Sequence, residues 1–567
     1  MSHPTATRAR VEAPRIRIAS VDWERVQVTL RVCPVDGRLD PASVRLRYQP
    51  GSASGTAWAP AGVARTPAAA TMPPTRAWPE DGDLLLRFNV MQGPGRVPLV
   101  GGRWVLEGAA TATAATTSLG IEDSPAPDPE RDTARFELDE EDETEEGTYV
   151  AAARVDPSDR TFGLDISLLP PAGRSGGGSF GRRAADWIGY RLGRVRLGLF
   201  VAVFHLCQLV ARRNGRRVLF TSDSRAELGD NLEFVWDRMV ERGLDRRYEM
   251  LTLLKPSITA RRRFLDRLRL PWMLARADVI VIDDYHPVIY RLDERDARIV
   301  QLWHAWGAFK TVGYSRVGKP GGLSPWSRVH KNYSIAIVSS EDEVAPYAEA
   351  FGIPEDRVRP TGIPRMDRFF GDRERETARE AALAAYPAIR GRRVFLFAPT
   401  FRGAGARTAW YDLDLIDYDA LHRLCVEQDA VCIIRMHPFI TTPLRIPDAL
   451  RDRLVDGSGS AIDVNTLLFA VDLLITDYSS IVFEFSTLDR PMLFLAHDLE
   501  EYVASRDFYV RYEDFVPGRI VRTFDELLDA IRRGDFGSER LAAFRAAHLD
   551  HFDGHATDRV IDLIVGT

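Results

Sequence analysis

Three patterns of apolar and polar positions succeed one another along the chain. Residues 13 to 168 carry short apolar runs with partial alternation, RIRIASVDWERVQVTLRV, ASVRLRY, DLLLRFNV and GRWVLEG, separated by Gly, Pro and Asp. ARFEL, TYVAAARV and TFGLDISLL continue the series. Successive side chains of a strand face opposite sides, so this pattern predicts seven or more half-buried strands. Their spacing predicts an antiparallel sandwich-like or barrel domain over residues 1–169. The acidic run ELDEEDETEEG within it reads first as a solvated loop and second as a docking loop.

A Gly/Pro/Ser-rich linker, PPAGRSGGGSFG, opens the second stretch, 170–213. It leads into RRAADWIGYRLGRVRLGLFVAVFHLCQLVARR, where Arg191, Arg194 and Arg196 stand among aromatic and aliphatic residues. A basic amphipathic helix of this kind either packs between domains or lies on an anionic membrane surface. Its apolar core, Leu197 to Val210, is too short to span a bilayer.

From Arg217 onward continuous apolar runs replace alternation: RVLFTS, DVIVIDD, IVQLWHA and SIAIVSS, then RRVFLFAPT, DAVCIIRMHP, RLVDGSG, DLLITDYSS and PMLFLAHD. Such runs read as parallel strands buried on both faces, with amphipathic helices between them. Two successive α/β halves, 214–375 and 376–567, predict two doubly wound domains facing across a cleft. Ligands of such sheets bind beyond the strands' carboxyl ends.

Composition narrows the classes. The 567 residues are 45% hydrophobic and 28% charged, which excludes a fibrous or wholly disordered chain. The 75 basic and 81 acidic residues leave a net charge of −6, which argues against a long nucleic acid as main partner. Cys33, Cys207, Cys425 and Cys432 form no CxxC pair, and no apolar segment follows the basic N-terminus; both point to a reducing, cytoplasmic location. No metal signature or Walker A sequence is present, and DYHP, 284–287, is only a loose Asp–His cluster.

The chemistry therefore lies where apolar runs stop. His304 ends IVQLWHA, with Gly307 and Lys310 following; it is either a general base or a histidine satisfied by backbone. His437 ends IIRMHP with Arg435 two residues earlier, suited to phosphate recognition or to a solvent-facing strand end. Asp477, Ser479 and Ser480 precede an apolar helical run that they can cap, and the same groups suit a phosphate oxygen. Glu484, inside that run, would meet ligand hydroxyls or pair with an arginine. Thr400 and Arg402 follow FLFAP, placed either for a pyrophosphate or in a bare turn. The residues alone describe a two-lobed enzyme for a nucleotide or phosphate ligand, with a histidine on each lobe.

LWHAWGAFKTVGY, HKNYSIAIVSSE, FGIPEDRVRPTGIPRMDRFF, FLFAPTFRG, IIRMHPF, LLITDYSSIVFEF and PGRIVRTFDEL occur in this order over roughly residues 215 to 560. Together they resemble the CDP-glycerol glycerophosphotransferase family of teichoic acid primases and polymerases. The resemblance implies a two-lobed glycosyltransferase-B type fold, with the first lobe holding the acceptor and the second the CDP-alcohol. It also implies transfer of glycerol or ribitol phosphate from CDP-glycerol or CDP-ribitol to a hydroxyl, releasing CMP, without a tightly bound cofactor or metal. His304 and His437 match the family's two histidines. Asp477, Ser479 and Ser480 match its donor site; Pro517, Gly518, Glu526 and Leu527 match its later positions, with Glu526 a candidate for cytidine ribose hydroxyls. Trp306 departs from the smaller polar residue of many relatives. The implied partners are a polyprenyl-linked or polyol phosphate acceptor and the inner membrane face, touched through Arg191, Arg194 and Arg196; self-association is left open. The competing readings are a glycosyltransferase using a nucleotide sugar and a non-enzymatic assembly component.

Overall fold

The computed structural model describes residues 14–35, 39–49, 70–109, 116–122, 127–128, 131–138, 147–169, 195, 197–257, 260, 262–292, 297–319, 322–403, 408–459 and 462–566. Arg191, Arg194, Arg196 and most of the acidic run lie outside the described residues. The chain divides into two compact units.

The first unit is built on two β-sheets. One sheet orders the strands 76–80, 83–89, 27–34, 15–24 and 120–121; a second orders 133–138, 147–155, 162–169, 102–108, 45–49 and 71–72. Pairing is antiparallel except at Arg15–Ile16 against Gly120–Ile121. Both sheets turn their apolar positions into one core: Ile16, Val28, Leu30 and Phe88 from the first, Leu46, Trp104, Phe162 and Leu164 from the second. That shared core is the physical counterpart of the alternation in the sequence. The unit is not contiguous in the chain, because Val312–Lys331 and Ala348–Glu355 belong to it. Tyr314 and Val317 enter its core, Lys331 donates Nζ–H to the Met91 carbonyl at 2.8 Å, and Arg25 pairs with Glu349 at 2.7 Å.

The second unit holds two parallel six-stranded sheets. The first-lobe strands are β1 (Arg217–Ser222), β2 (Glu249–Leu254), β3 (Val279–Ile282), β4 (Arg298–Gln301), β5 (Ile335–Val338) and β6 (Val358–Pro360), in the order β2-β1-β3-β4-β5-β6. The second-lobe strands are β7 (Arg393–Phe397), β8 (Ala430–Ile434), β9 (Leu454–Asp456), β10 (Leu473–Thr476), β11 (Met492–Leu495) and β12 (Arg519–Val521), in the order β9-β8-β7-β10-β11-β12. Along β7, Val394 and Leu396 join one core and Phe395 and Phe397 another, which is why the run is apolar throughout. Strand order reverses between β1 and β3 and between β7 and β10, the crevices where such sheets take ligands.

The helices that flank or cross between these sheets include α1 (Asp230–Glu241), α2 (Phe264–Arg276), α3 (Ile481–Ser486), α4 (Phe524–Arg533) and α5 (Ala556–Val565). The chain's last helix does not stay with the second lobe. Val560, Ile561 and Ile564 of α5 join Val235 and Met239 of α1 in the first-lobe core.

Candidate functional site

His304 stands three residues beyond β4, in a turn that the backbone holds under constraint. Trp303 adopts φ +53°, a left-handed conformation costly for a residue with a Cβ. The turn is pinned by neighbours: Asn231 donates to the Trp303 carbonyl at 2.8 Å, and Arg365 Nη1 donates to the His304 carbonyl at 2.9 Å. The imidazole itself is exposed, with its Nδ1 3.4 Å from Oδ1 of Asp284 just beyond β3. A carboxylate beside Nδ1 favours the proton there and leaves Nε2 with its lone pair. Asp284 is in turn held by Ser224 and by the Tyr285 amide.

His437 stands at the other lobe's edge, beyond β8, between the rings of Phe401 and Phe439, each 4.7 Å away between centroids. The Phe439 amide donates to its Nδ1 at 3.1 Å. Burial and the charge of Lys310 push the ring down to about 4, so it is neutral at pH 7. A neutral ring whose Nδ1 accepts a hydrogen bond carries its proton on Nε2. His437 is thus a hydrogen-bond donor rather than a cation.

At the second lobe's crevice the expected phosphate groups are largely occupied with one another. Asp477, buried, accepts from the Thr400 amide at 2.7 Å, the Tyr478 amide at 2.6 Å and Arg402 Nη1 at 2.9 Å. Arg402 also grips Asp498 through Nε at 2.6 Å and Nη2 at 2.9 Å, and it lies against the Tyr411, Tyr478 and Tyr502 rings. Arg435 donates to the Ile462 carbonyl at 2.9 Å. Ser479 and Ser480 lead into α3; the Ile481 amide meets Ser479 Oγ at 3.4 Å, and the Ser480 hydroxyl makes no capping bond. Thr400 Oγ1 is buried without a hydrogen-bond partner among the described residues.

Of the remaining candidates, Pro517 and Gly518 precede β12 and so lie at the amino ends of the parallel strands, away from the others. A Cβ on Gly518 would stand 2.5 Å from the Met492 carbonyl oxygen, so glycine here serves strand packing. Glu526 sits in the first turn of α4; its carboxylate accepts from the Arg522 amide at 2.7 Å, and Thr523 caps its own amide at 3.2 Å. Glu484 has the arginine partner that was one of its two readings, Arg365 at 2.7 Å.

Three residues carry more of the site than the sequence reading gave them: Asp284, Arg365 and Lys310. The rule that chemistry lies where an apolar run stops would have found Asp284, which follows VIVID. Arg365 lies in the segment between β6 and β7, where no apolar run points to it. Among the described residues no cluster of His, Cys, Asp and Glu is arranged to hold a metal.

A histidine thus stands at the carboxyl edge of each parallel sheet, one with a carboxylate beside Nδ1 and one a neutral donor, in a two-lobed α/β unit. The chain belongs to the CDP-glycerol:poly(glycerophosphate) glycerophosphotransferase family, whose model matches residues 203–566. It is 43% identical over 370 residues to the teichoic acid ribitol-phosphate polymerase TarL of Staphylococcus aureus, covering 65% of this chain and 66% of TarL, just under two thirds of its length. It is 40% identical over 418 residues to TarK of the same organism, also a ribitol-phosphate polymerase, covering 73% and 81%. Similarity to a glycerol-phosphate primase of Bacillus subtilis is lower, 26% over 298 residues, 52% of this chain and 74% of the primase. The solved structure of the wall teichoic acid polymerase TagF superposes with a TM-score of 0.53 at 20% identity, over 66% of this chain and 95% of that one, which establishes the shared fold.

Proposed function

We propose that the protein transfers ribitol phosphate from CDP-ribitol to a hydroxyl of a polyol-phosphate or polyprenyl-linked acceptor, releasing CMP, in teichoic acid synthesis. The observation that carries this is the His304–Asp284 pair, on the opposite lobe from His437. The acceptor hydroxyl attacks the β-phosphorus; its proton passes to His304 Nε2, and the bond from that phosphorus to the bridging oxygen breaks, so CMP leaves with that oxygen. His437 Nε2–H donates to a phosphoryl oxygen as charge develops there. The ribitol assignment is supported by TarL and TarK, both named for ribitol phosphate and more similar to this chain than the glycerol-phosphate primase.

In this reading the chain is organised as a β-sandwich-like domain, 1–169, a linker and basic helix, 170–213, an acceptor lobe, 214–375, and a donor lobe, 376–567, in a glycosyltransferase-B arrangement. Residues Arg191, Arg194 and Arg196 contact the inner membrane face. Two described surfaces support that contact. The helix at 197–210 exposes Leu199, Leu206, Leu209 and Val210, and α2 exposes Phe264, Leu265 and Leu268 beside Arg263 and Arg267. No helix among the described residues is long and apolar enough to cross a membrane.

The test is CMP release by purified protein with CDP-ribitol or CDP-glycerol and a polyol-phosphate acceptor, with mass analysis of the product. Growth by ribitol phosphate units is expected, and loss of turnover in His304→Ala. Growth only from CDP-glycerol would overturn the donor assignment. Turnover of a nucleotide sugar alone would overturn the reaction class.

A further inference from the structure

We propose that Lys310 is the residue that meets the donor's diphosphate and holds the phosphate that departs as CMP. The inference rests on the reading of the cleft as a CDP-alcohol site and adds to it a contact made from the opposite lobe.

The cations near the second lobe's crevice differ in how fully they are engaged. Arg402, the arginine expected to approach a pyrophosphate, already directs four of its five N–H groups to Asp477, Asp498 and the Thr400 carbonyl. Arg435 gives Nη2–H to the Ile462 carbonyl and keeps a buried Nη1 without a partner among the described residues, and Arg506 donates to the Gly403 carbonyl. No carboxylate pairs with Lys310 among the described residues, and it alone of these cations comes from the His304 loop. Asp477 and Asp498, the nearby acids, are both taken by Arg402.

Its position is fixed by backbone. The segment Phe309–Thr311 lies as a short strap along Arg506–Tyr509 of the second lobe. Lys310 bridges Phe508, the Thr311 amide donates to the Asp507 carbonyl at 3.3 Å, and the Tyr509 amide donates to the Phe309 carbonyl at 3.0 Å. Phe309 stacks on Phe515 with centroids 4.3 Å apart, which anchors the strap. The strap carries the ammonium to 5.6 Å from the Tyr502 ring centroid, at the second lobe's crevice. The charged and titratable groups facing it are Asp477, Arg402, Arg506, Tyr502 and His437. Lys310 thus lies six residues after His304 on one loop, and its charge acts on His437.

A half-buried cation without a counter-ion is costly unless an anion arrives to pair with it. Burial pushes its pKa down to about 7. An incoming phosphate would restore the proton, so the charge is completed by the ligand. In the transfer step the bridging oxygen leaves on CMP with the electrons of the broken P–O bond, and Lys310 N–H is placed to share that charge.

The experiment compares binding of CMP and of cytidine to the full-length protein, to Lys310→Met and to Lys310→Arg, with thermal unfolding as the folding control. CMP is expected to weaken at least about tenfold in Lys310→Met with cytidine unchanged, the scale of a lost charged hydrogen bond. Wild-type affinity for CMP is expected to fall as pH rises from 7 to 9, while Lys310→Arg, permanently charged, stays flat. Equal CMP affinity in wild type and Lys310→Met would overturn the inference while leaving the donor class intact. Should wild type bind neither CMP nor cytidine, the CDP-alcohol reading itself fails and the inference with it. If Lys310→Met loses its fold, the pH comparison between wild type and Lys310→Arg decides, and parallel profiles would count against Lys310.

Discussion

In the proposed reaction, turnover should depend most on the 3.4 Å approach of Asp284 to His304 Nδ1. It determines which ring nitrogen keeps a lone pair for the acceptor proton. Asp284→Asn presents an amide in place of a carboxylate and favours the proton on Nε2, where the base is needed. Turnover is expected to fall by about 10²- to 10⁴-fold, the span of general-base catalysis, with the donor KM and Tm little changed. A variant with wild-type turnover would remove Asp284 from the mechanism. His286 makes a separate prediction. Burial foremost, then Arg262 and Lys255, pushes its pKa down to about 4, against the nearby Asp223. Between that value and its unfolded value of 6.5 the folded state binds fewer protons, so His286 costs stability as pH falls through this window. His286→Gln should therefore show a shallower decline of Tm from pH 7 to 4.5 than wild type; an identical decline would mean the acid sensitivity lies elsewhere.

Among the elements, the loop from β4 to the strap depends on one glycine. Gly307 adopts φ +81°, and a Cβ there would stand 1.7 Å from the Phe483 ring of α3. Gly307→Ala is expected to cost about 1–3 kcal/mol through backbone strain and to displace the loop from α3, abolishing CMP release while the rest of the unit stays folded. Circular dichroism and the CMP assay together check this, and an active alanine variant would show that the loop and α3 can separate without consequence. The strands were legible for a plain reason: VIVI, AVCII, LLIT and MLFL are buried on both faces, so their residue types alone mark them. His304 and His437 stood out as candidates because each follows such a run within three residues. The strap was not legible, since Lys310 and Phe508 are far apart in sequence and pair through backbone. Nor was the occupation of Arg402, because a sequence shows an arginine at a strand end without showing which carboxylates reach it. Val312–Lys331 reads as one more loop of an α/β half, yet Tyr314 and Val317 belong to the β-sheet core. Apolar residues mark burial but do not say in which core.

For the two-lobed unit as a whole, Arg365 ties the His304 turn and α3 to the segment between β6 and β7. Buried, it donates Nη2–H to Glu484 of α3 at 2.7 Å, and Nη1–H to Asp230 at 3.2 Å and to the His304 carbonyl at 2.9 Å. One guanidinium thus pairs with an acid from each lobe and holds the turn that carries His304. Replacing it by methionine leaves buried Glu484 without a cation, while Asp230 keeps Arg225 at 3.5 Å; a broken buried pair costs about 3–5 kcal/mol. Arg365→Met with Glu484→Gln should recover part of that loss, because a neutral amide no longer needs the counter-charge, while turnover stays low because the His304 carbonyl has lost its anchor. Denaturant unfolding of the single and double variants, with CMP release alongside, separates the two effects. Recovery of stability without activity would establish Arg365 as the residue that positions His304 in addition to joining the lobes. If activity returned in step with stability, Arg365 would hold the fold alone, and the turn at Trp303 would owe its conformation to Asn231.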